Sequence, residues 1–456
     1  MGTADALPRG DGWVHPDECP PEVLAHLSDL PDPYPVEPLA QPPEAVVEVP
    51  GSKSMTNRAL VLAALADGPV TVTGALWADD TYYMSVALNQ LGIPVRFNRD
   101  SHELYVQGRG GDLPAPGAEL YTGNAGTATR FLTALCALGS GRCRIDGTPR
   151  MRQRPIEPLC DALRQWGAQV HSVEGTGCPP LDIQGPLQGG LARLDSSLSS
   201  QYLSALLMVG PYAPQGAVVE LTGPPPARPY VDMTMAMMAR QGVTVKEEGG
   251  SRFIVQPGRY RAQAIGVEPD ASSAAYFWAA AAVTGGRVTV KGTGRHSLQG
   301  DSGFVDVLAA MGCTVTEDAE GLTVTGPAGG RLKGVDVDLN AMSDMTPTLA
   351  SLAPFCDSPV TIRNVGHIRV QETDRIAAIA AELARLGISV TELDDGLIIQ
   401  PGSPRPAVIQ TYDDHRMAMA FALVGLRVPG LAVADPSCVA KSFPDYFSVL
   451  ETLRDS

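Results

Sequence analysis

Five short stretches of this chain share one design, an apolar-periodic run that ends in glycine and leads into an alternating segment. They are LNQLGIPVRF, LRQWGAQVHS, MARQGVTVKE, LAAMGCTVTE and LARLGISVTE, with glycines at Gly92, Gly167, Gly242, Gly312 and Gly387, spaced 75, 75, 70 and 75 residues apart. A repeat this long means a fold assembled from copies of one supersecondary unit. A second marker, an Ala-rich helical stretch followed by a β-rich run, ends at Gly74, Gly147, Gly223, Gly292, Asn364 and Asp435, spaced 73, 76, 69, 72 and 71 residues apart. The two markers keep one period, so the 456 residues read as six units, the last cut short after the helical-looking DYFSVLETL.

A further β-branched run follows each glycine-ended helix, as LYVQG, LDIQG, FIVQP, LTVTG and LIIQP. The pattern predicts at least two helices and three strands per unit, an α/β arrangement with helices over one face of a sheet. The glycine closing each helix supplies a left-handed C-cap. A single core rarely grows beyond roughly 250 to 300 residues, so the six units divide three and three. The crossings fall near Pro50 and Gly51 and within QPGRYRAQAIGVEPDASSAA, which gives one domain over 51–267 and a second built from 44–50 and 268–456. Residues 1 to 44 hold nine acidic residues, one basic residue and ten prolines. That composition forms no core of its own, so 1–43 is expected to be an acidic, Pro-rich extension outside both domains.

Composition removes several functional classes. The 34 basic and 50 acidic residues leave a net charge of −16, which argues against non-specific nucleic-acid binding. No apolar run approaches the roughly 20 residues of a membrane span, and the first 30 residues lack both a basic start and an apolar signal core. A cytoplasmic protein without a membrane partner is expected. The eight cysteines (Cys19, Cys136, Cys143, Cys160, Cys178, Cys313, Cys356 and Cys438) contain no CxxC pair and build no zinc-type cluster with the seven histidines, so reduced and mostly buried thiols are expected.

Chemistry-bearing residues collect where the repeats restart their helices. VVEVPG reads as a strand and is followed by Ser52, Lys53, Ser54 and Arg58, a place where unpaired backbone N–H groups and the helix dipole favour an anion. A P-loop is excluded, because Ser52 stands where that motif needs glycine before Lys53. YTGNAGTATRF offers Gly123, Asn124, Gly126 and Thr127; MRQRPIEPL offers Arg152 and Arg154; DSSLSSQYLSALL offers Ser199, Ser200 and Gln201. In the second half, NAMSDMTPTLASL carries Asp344, HIRVQETDRIAAIAAEL carries Glu372, Asp374 and Arg375, YDDHRMAMAFAL carries Asp413, Asp414, His415 and Arg416, and CVAKSFPDYF carries Lys441. Each motif alone is equally a capped turn with solvated charges. Together, several helix starts with Lys and Arg suit a small polyanion despite the acidic total.

The motifs PGSKSMTNRAL, GNAGTATR, PRMRQRPI, SSLSSQYLSALL, PDASSAAYF, ETDRIAAI, DDHRMAMAF and AKSFPDYF together resemble the EPSP synthase (3-phosphoshikimate 1-carboxyvinyltransferase) family, in order over about residues 44 to 452. The resemblance implies two domains of three repeated units, an inside-out α/β barrel arrangement, with phosphoenolpyruvate and shikimate 3-phosphate meeting in the cleft between them. It implies transfer of the enolpyruvyl group to the 5-hydroxyl of the shikimate, in aromatic amino acid and chorismate biosynthesis, by a monomer needing neither metal nor organic cofactor. Lys53, Asp344 and Glu372 are implied as the catalytic groups. On the phosphoenolpyruvate side the match carries Lys53, Asn124, Gly126, Thr127, Arg154, Gln201, Arg375, Arg416 and Lys441. On the shikimate 3-phosphate side it carries Lys53, Ser54, Arg58, Ser199, Ser200, Gln201, Tyr230, Asp344, His367 and Gln371.

Two positions depart from the pattern of many relatives. Ala227 stands for a phosphate-binding serine and Gln371 for a lysine, which removes a hydroxyl donor and a positive charge. His367 and Arg228 are the neighbours in sequence that could compensate. Gly126 holds the position associated with access of the inhibitor glyphosate. A related family, the UDP-N-acetylglucosamine enolpyruvyl transferases, usually carries a reactive cysteine before its Arg-Pro, and TPRMRQRP here has none.

Overall fold

The computed structural model describes residues 8, 12–16, 27, 29–98, 100–115 and 117–454. It divides the chain into two compact units, Met1–Val23 with Gly51–Val267 and Leu24–Pro50 with Glu268–Ser456.

Twelve α-helices lie among the described residues. In the first unit they are α1 (Lys53–Leu65), α2 (Asp79–Gln90), α3 (Gly126–Cys136), α4 (Glu157–Gln165), α5 (Ser200–Val209) and α6 (Pro229–Arg240). In the second they are α7 (Ala271–Thr284), α8 (Phe304–Ala310), α9 (Thr346–Leu352), α10 (Arg375–Arg385), α11 (His415–Gly425) and α12 (Tyr446–Glu451). Their sequences alternate in character. Odd-numbered helices such as ASSAAYFWAAAAVT are apolar or small on most sides, apart from a few polar and charged residues toward their starts, and are buried almost throughout, as a helix without a polar face must be. Even-numbered helices bury one stripe, Leu159, Cys160, Ala162 and Leu163 in α4 and Ile376, Ala378, Ile379, Glu382 and Leu383 in α10. Helix α3 packs on both α1 and α5, and α9 on both α7 and α11. Each unit therefore has three helices at its centre and sheets on its outside, the inverse of a barrel with the sheet within.

Four of the six sheets share one strand order. In the second repeat, Gly117–Tyr121 runs parallel to Arg142–Asp146 (Gly117 opposite Arg142), which is antiparallel to Leu181–Gln184, which is antiparallel in turn to the edge strand Gln169–Ser172. The sheet led by Gly190–Leu194 and that led by Asp336–Asp338 repeat this order within single repeats. The others are completed from elsewhere in the chain. Glu44–Val47 pairs with Arg287–Lys291 of the second unit, and Ile265–Gly266 pairs with Pro69–Thr73 of the first. Each regular repeat thus has a fourth strand beyond the three read from sequence. The C-cap glycines Gly92, Gly167, Gly242, Gly312 and Gly387 have φ of 82, 93, 90, 104 and 80°, where a side chain would be strained.

The structure corrects the reading of 1–43 as an extension outside both domains. Trp13–Val14 pairs antiparallel with Val95–Asn98 at the edge of the first sheet. Tyr34–Val36 pairs antiparallel with Leu431–Val433, taking in the sixth repeat the place that Leu181–Gln184 holds in the second, while Val408–Ile409 is the parallel leading strand. Net charge and proline content describe the segment's inability to build a core, not its capacity to complete one. Val36 is 1% exposed. Val36→Asp puts an unpaired charge in that core and is expected to destabilise the second unit by about 3 kcal/mol or more in urea unfolding, whereas a true extension would tolerate it.

Cys136, Cys143, Cys160, Cys178, Cys313 and Cys356 are buried and unbridged, Cys438 is half-buried, and Cys19 lies outside the described residues. Burial pushes the Cys160, Cys313 and Cys356 thiols up to about 12, the inert thiol form. Among the described residues no helix is long and apolar enough to cross a membrane, and no group of three or more His, Cys, Asp or Glu could hold a metal ion.

Candidate active site

In the first unit, polar groups gather at the starts of the three central helices. Ser52 caps α1 by accepting the Met55 N–H at 3.4 Å, which makes Lys53 its first residue. Lys53 is 9% exposed, with Nζ 3.4 Å from the buried Asp80 carboxylate. The Gly126 start of α3 lies against Arg154, whose Nη1 donates to the Asn124 carbonyl at 3.0 Å and to its side-chain oxygen at 3.2 Å. Gln201 Nε2 donates to Thr127 Oγ1 at 3.3 Å, tying the start of α5 to that of α3. Asn124, Gly126, Thr127, Arg154 and Gln201 are thereby brought together.

Arg58 lies deeper, 1% exposed. It donates to Thr234 Oγ1 at 2.7 Å, the Ser54 carbonyl at 3.0 Å, Ser204 Oγ at 3.3 Å and the Tyr230 carbonyl at 3.1 Å. Burial lowers its pKa to about 10, still well above neutrality. Its guanidinium carbon lies 5.8 Å from the Tyr230 ring centre and 5.2 Å from that of Phe131, so Arg58 fixes the backbone of Ser54 and Tyr230 with two N–H groups and holds Thr234 and Ser204 with two more.

The second unit holds an ion-pair network at the junctions before α9, α10 and α11. Arg375, 1% exposed, donates Nε to Asp414 at 2.7 Å, Nη1 to Asp344 at 2.9 Å and to Gln371, and Nη2 to Glu372 at 3.0 Å. Burial alone would lower its pKa, but Asp414, Glu372 and Asp344 outweigh it and raise it. Asp344 accepts from Arg416 Nη2 at 2.7 Å through its other oxygen, and Lys441 Nζ lies 3.6 Å from Glu372 Oε1. Three cations and three carboxylates thus share one cluster, in which the positive groups are already desolvated and fixed in direction.

The structure shows which of these residues cap a helix, and Asp414 both caps and belongs to the cluster. Ser199 caps α5, Asp374 caps α10 and Asp414 caps α11, each accepting a backbone N–H, from Gln201 at 3.2 Å, Ala377 at 3.1 Å and Arg416 at 2.9 Å. The N-caps of α9 and α10 are Met345 and Asp374, and the Asp344 and Glu372 carboxylates face cations. Arg152 is exposed and paired with Asp146, while its neighbour Arg154 is buried. Ser200 opens α5 beside Ser199 and is buried.

The expected compensators also part company. Arg228 donates to Asp232 at 2.9 Å and to both oxygens of Glu247 at 3.0 and 2.6 Å, so its charge is shared with two carboxylates. His367 Nε2 lies 2.8 Å from Ser343 Oγ, and burial, with Arg375 adding and Asp344 opposing, lowers its pKa to about 4. It is neutral at pH 7 and does not replace a lysine charge at Gln371. Sequence reading missed Asp80, Arg130 and Asp301, all buried. Arg130 Nη1 donates to the Gly126 carbonyl at 3.1 Å. Arg130 stands in GNAGTATR with its partner Gly126, whereas Asp80 and Asp301 share no motif with theirs and burial is their only signal.

These features define an anion-handling α/β protein built from paired sets of three repeats. The EPSP synthase (3-phosphoshikimate 1-carboxyvinyltransferase) pattern matches residues 40–450. A curated relative, the 3-phosphoshikimate 1-carboxyvinyltransferase of Trichormus variabilis, is 49% identical over 412 residues, 90% of this chain and 96% of its own. The solved EPSP synthase of Acinetobacter baumannii superposes with a TM-score of 0.77 at 28% identity, covering 92% of this chain and 97% of that one. The enolpyruvyl transferase NikO of Streptomyces tendae, 19% identical with 92% and 98% covered, shares the fold at a TM-score of 0.73. The chain belongs to the EPSP synthase family.

Proposed function

We propose that this chain transfers the enolpyruvyl group of phosphoenolpyruvate to the 5-hydroxyl of shikimate 3-phosphate, giving 5-enolpyruvylshikimate 3-phosphate and phosphate. The observation that carries this reading is the second-unit cluster, where Asp344 and Glu372 are in direct contact with Arg375, Arg416 and Lys441. Such a field suits a substrate bearing a carboxylate and a phosphate and undergoing proton transfer.

In this reading the 5-hydroxyl attacks C2 of phosphoenolpyruvate while C3 takes up a proton. The resulting tetrahedral adduct then loses phosphate from C2 and a proton from C3, restoring the double bond. Glu372 handles the C3 proton, and Lys53 and Asp344 serve the hydroxyl. Arg154, Asn124, Gly126, Thr127 and Gln201, with Lys53, Arg375, Arg416 and Lys441, hold phosphoenolpyruvate. Lys53, Ser54, Ser199, Ser200, Gln201, Tyr230, Asp344 and Gln371 hold shikimate 3-phosphate, with His367 as a neutral hydrogen-bonding contact and Arg58 as the group that orients Ser54 and Tyr230. The reading needs no metal or organic cofactor and takes the protein as a cytoplasmic monomer.

The test is phosphate release from phosphoenolpyruvate with shikimate 3-phosphate, with UDP-N-acetylglucosamine, and with no acceptor. Release with the shikimate alone is expected, and release with the sugar nucleotide alone would overturn the acceptor. A second expectation concerns Gly126. A Cβ there would lie 2.5 Å from Arg154 Nη2 and 2.8 Å from Arg130 Nη1, and both guanidinium groups are held by other bonds. Gly126→Ala is expected to raise KM for phosphoenolpyruvate about tenfold, the effect of misplacing one charged contact by about 1.4 kcal/mol, while the KM for shikimate 3-phosphate changes less. Equal changes in both KM values would remove Arg154 from the phosphoenolpyruvate side.

A further inference from the structure

Asp301 lies in the turn Gly300–Gly303 and is 3% exposed. The reaction as read above makes no use of it. Its Oδ2 accepts the Ser272 hydroxyl. Ser272 Oγ accepts in turn from Arg416 Nη2 at 3.4 Å, the same nitrogen that reaches Asp344 Oδ2 at 2.7 Å. A single hydroxyl therefore links a buried carboxyl to a guanidinium of the cluster. The charged groups facing Asp301 are Asp344 from the turn Asn340–Met345, Arg416 from α11 and Asp270 at the cap of α7. Asp306 on the adjoining α8 is paired at the surface with Arg295 at 2.7 Å.

We propose that Asp301 is a positioning residue which, through Ser272, sets how much of the Arg416 charge is presented to phosphoenolpyruvate. This rests on the reading of Arg416 as a phosphoenolpyruvate contact. With the Asp301 carboxyl neutral, Asp344 is the carboxylate that shares Arg416. With it ionised, a second negative charge stands behind the guanidinium in low-dielectric surroundings and opposes an anionic substrate. Burial and the Asp344 charge push the Asp301 carboxyl up to about 6, with Arg416 and the Ser272 hydrogen bond opposing. The sign follows: as pH rises through about 6 the carboxyl loses its proton, and KM for phosphoenolpyruvate rises beyond the change caused by the substrate's own ionisation.

The experiment measures KM for phosphoenolpyruvate from pH 5 to 8 in the wild type, Asp301→Asn, Ser272→Ala and Arg416→Gln. The substrate's ionisation is common to all and drops out of the ratios. Asp301→Asn is expected to abolish the extra rise, lowering KM at pH 7.5 by about threefold or more with a smaller change in kcat. Ser272→Ala removes a hydrogen bond that favours the ionised carboxyl, so the rise should move to higher pH. A KM raised by one factor at every pH in Asp301→Asn marks a purely structural role and overturns the proposal, as does a Ser272→Ala profile superimposable on the wild type. Arg416→Gln separates the two levels. An unchanged KM there withdraws the reading of Arg416, while a KM raised about tenfold or more alongside an unshifted Asp301→Asn profile overturns the Asp301 inference alone.

Discussion

Replacing Glu372 by glutamine is expected to lower kcat by about 10²- to 10⁴-fold, the usual contribution of a general acid or base, with the Kd for phosphoenolpyruvate changed far less. The carboxylate is 8% exposed and its two oxygens are divided between cations, Oε2 at 3.0 Å from Arg375 and Oε1 at 3.6 Å from Lys441. Glutamine keeps the size and one acceptor oxygen, so the bond to Arg375 survives and the carboxylate to which the proposed reaction assigns the C3 proton is lost. Phosphate release in single and multiple turnovers, with binding followed by calorimetry, separates the two quantities. Turnover within about threefold of wild type would leave Glu372 as a structural anchor and pass the C3 proton to another group.

The second large effect is structural. Arg375→Met is expected to destabilise the second unit by about 3–5 kcal/mol, the cost of leaving buried charges without their partner. Asp414 and Glu372 are buried and Asp344 nearly so, and all three lose a guanidinium hydrogen bond at once. Methionine fills much of the volume, so packing contributes little to the loss. Arg375→Lys returns the charge without the fork and should recover part of it. Chemical unfolding followed by a probe in the second unit measures both. A loss below about 1 kcal/mol in Arg375→Met would mean that solvent already screens the network.

The repeat was open to sequence reading because helix periodicity and C-cap glycine recur in register, and a regular backbone leaves a regular trace. The leading strand of each repeat was not. GAELY, GLARL and DVD are short, weakly alternating and rich in residues that also form turns. Ile265–Gly266 has two residues and acquires strand character only from Thr73 and Val72 beside it. The site divides in the same way. Residues at helix starts, from Lys53 to Lys441, sit in motifs whose polarity contrasts with the apolar helix that follows. Asp80 meets Lys53, and Asp301 meets Ser272, from other segments of the chain. An isolated aspartate in DDTYY or QGDSG looks solvated until burial is known. Arg228 shows the converse, a cation prominent in sequence whose place is taken by Glu247 and Asp232.

The origin of the sixth repeat's third strand sets a timetable for biosynthesis. Tyr34–Val36 and Glu44–Val47 leave the ribosome ahead of the Gly51–Val267 body of the first unit, yet their partners Leu431–Val433 and Arg287–Lys291 emerge after all of it. The first unit can close as soon as Ile265–Gly266 reaches Pro69–Thr73. At about 5–20 residues per second, the leading strand then waits on the order of ten seconds for its mate. An unpaired strand is a template for association with other chains. The nine acidic residues and ten prolines of residues 1 to 44 answer that hazard, since like charge repels neighbouring chains and proline withholds the N–H that a foreign strand would need. The composition that makes this segment unable to fold alone also keeps it available until the last repeat arrives.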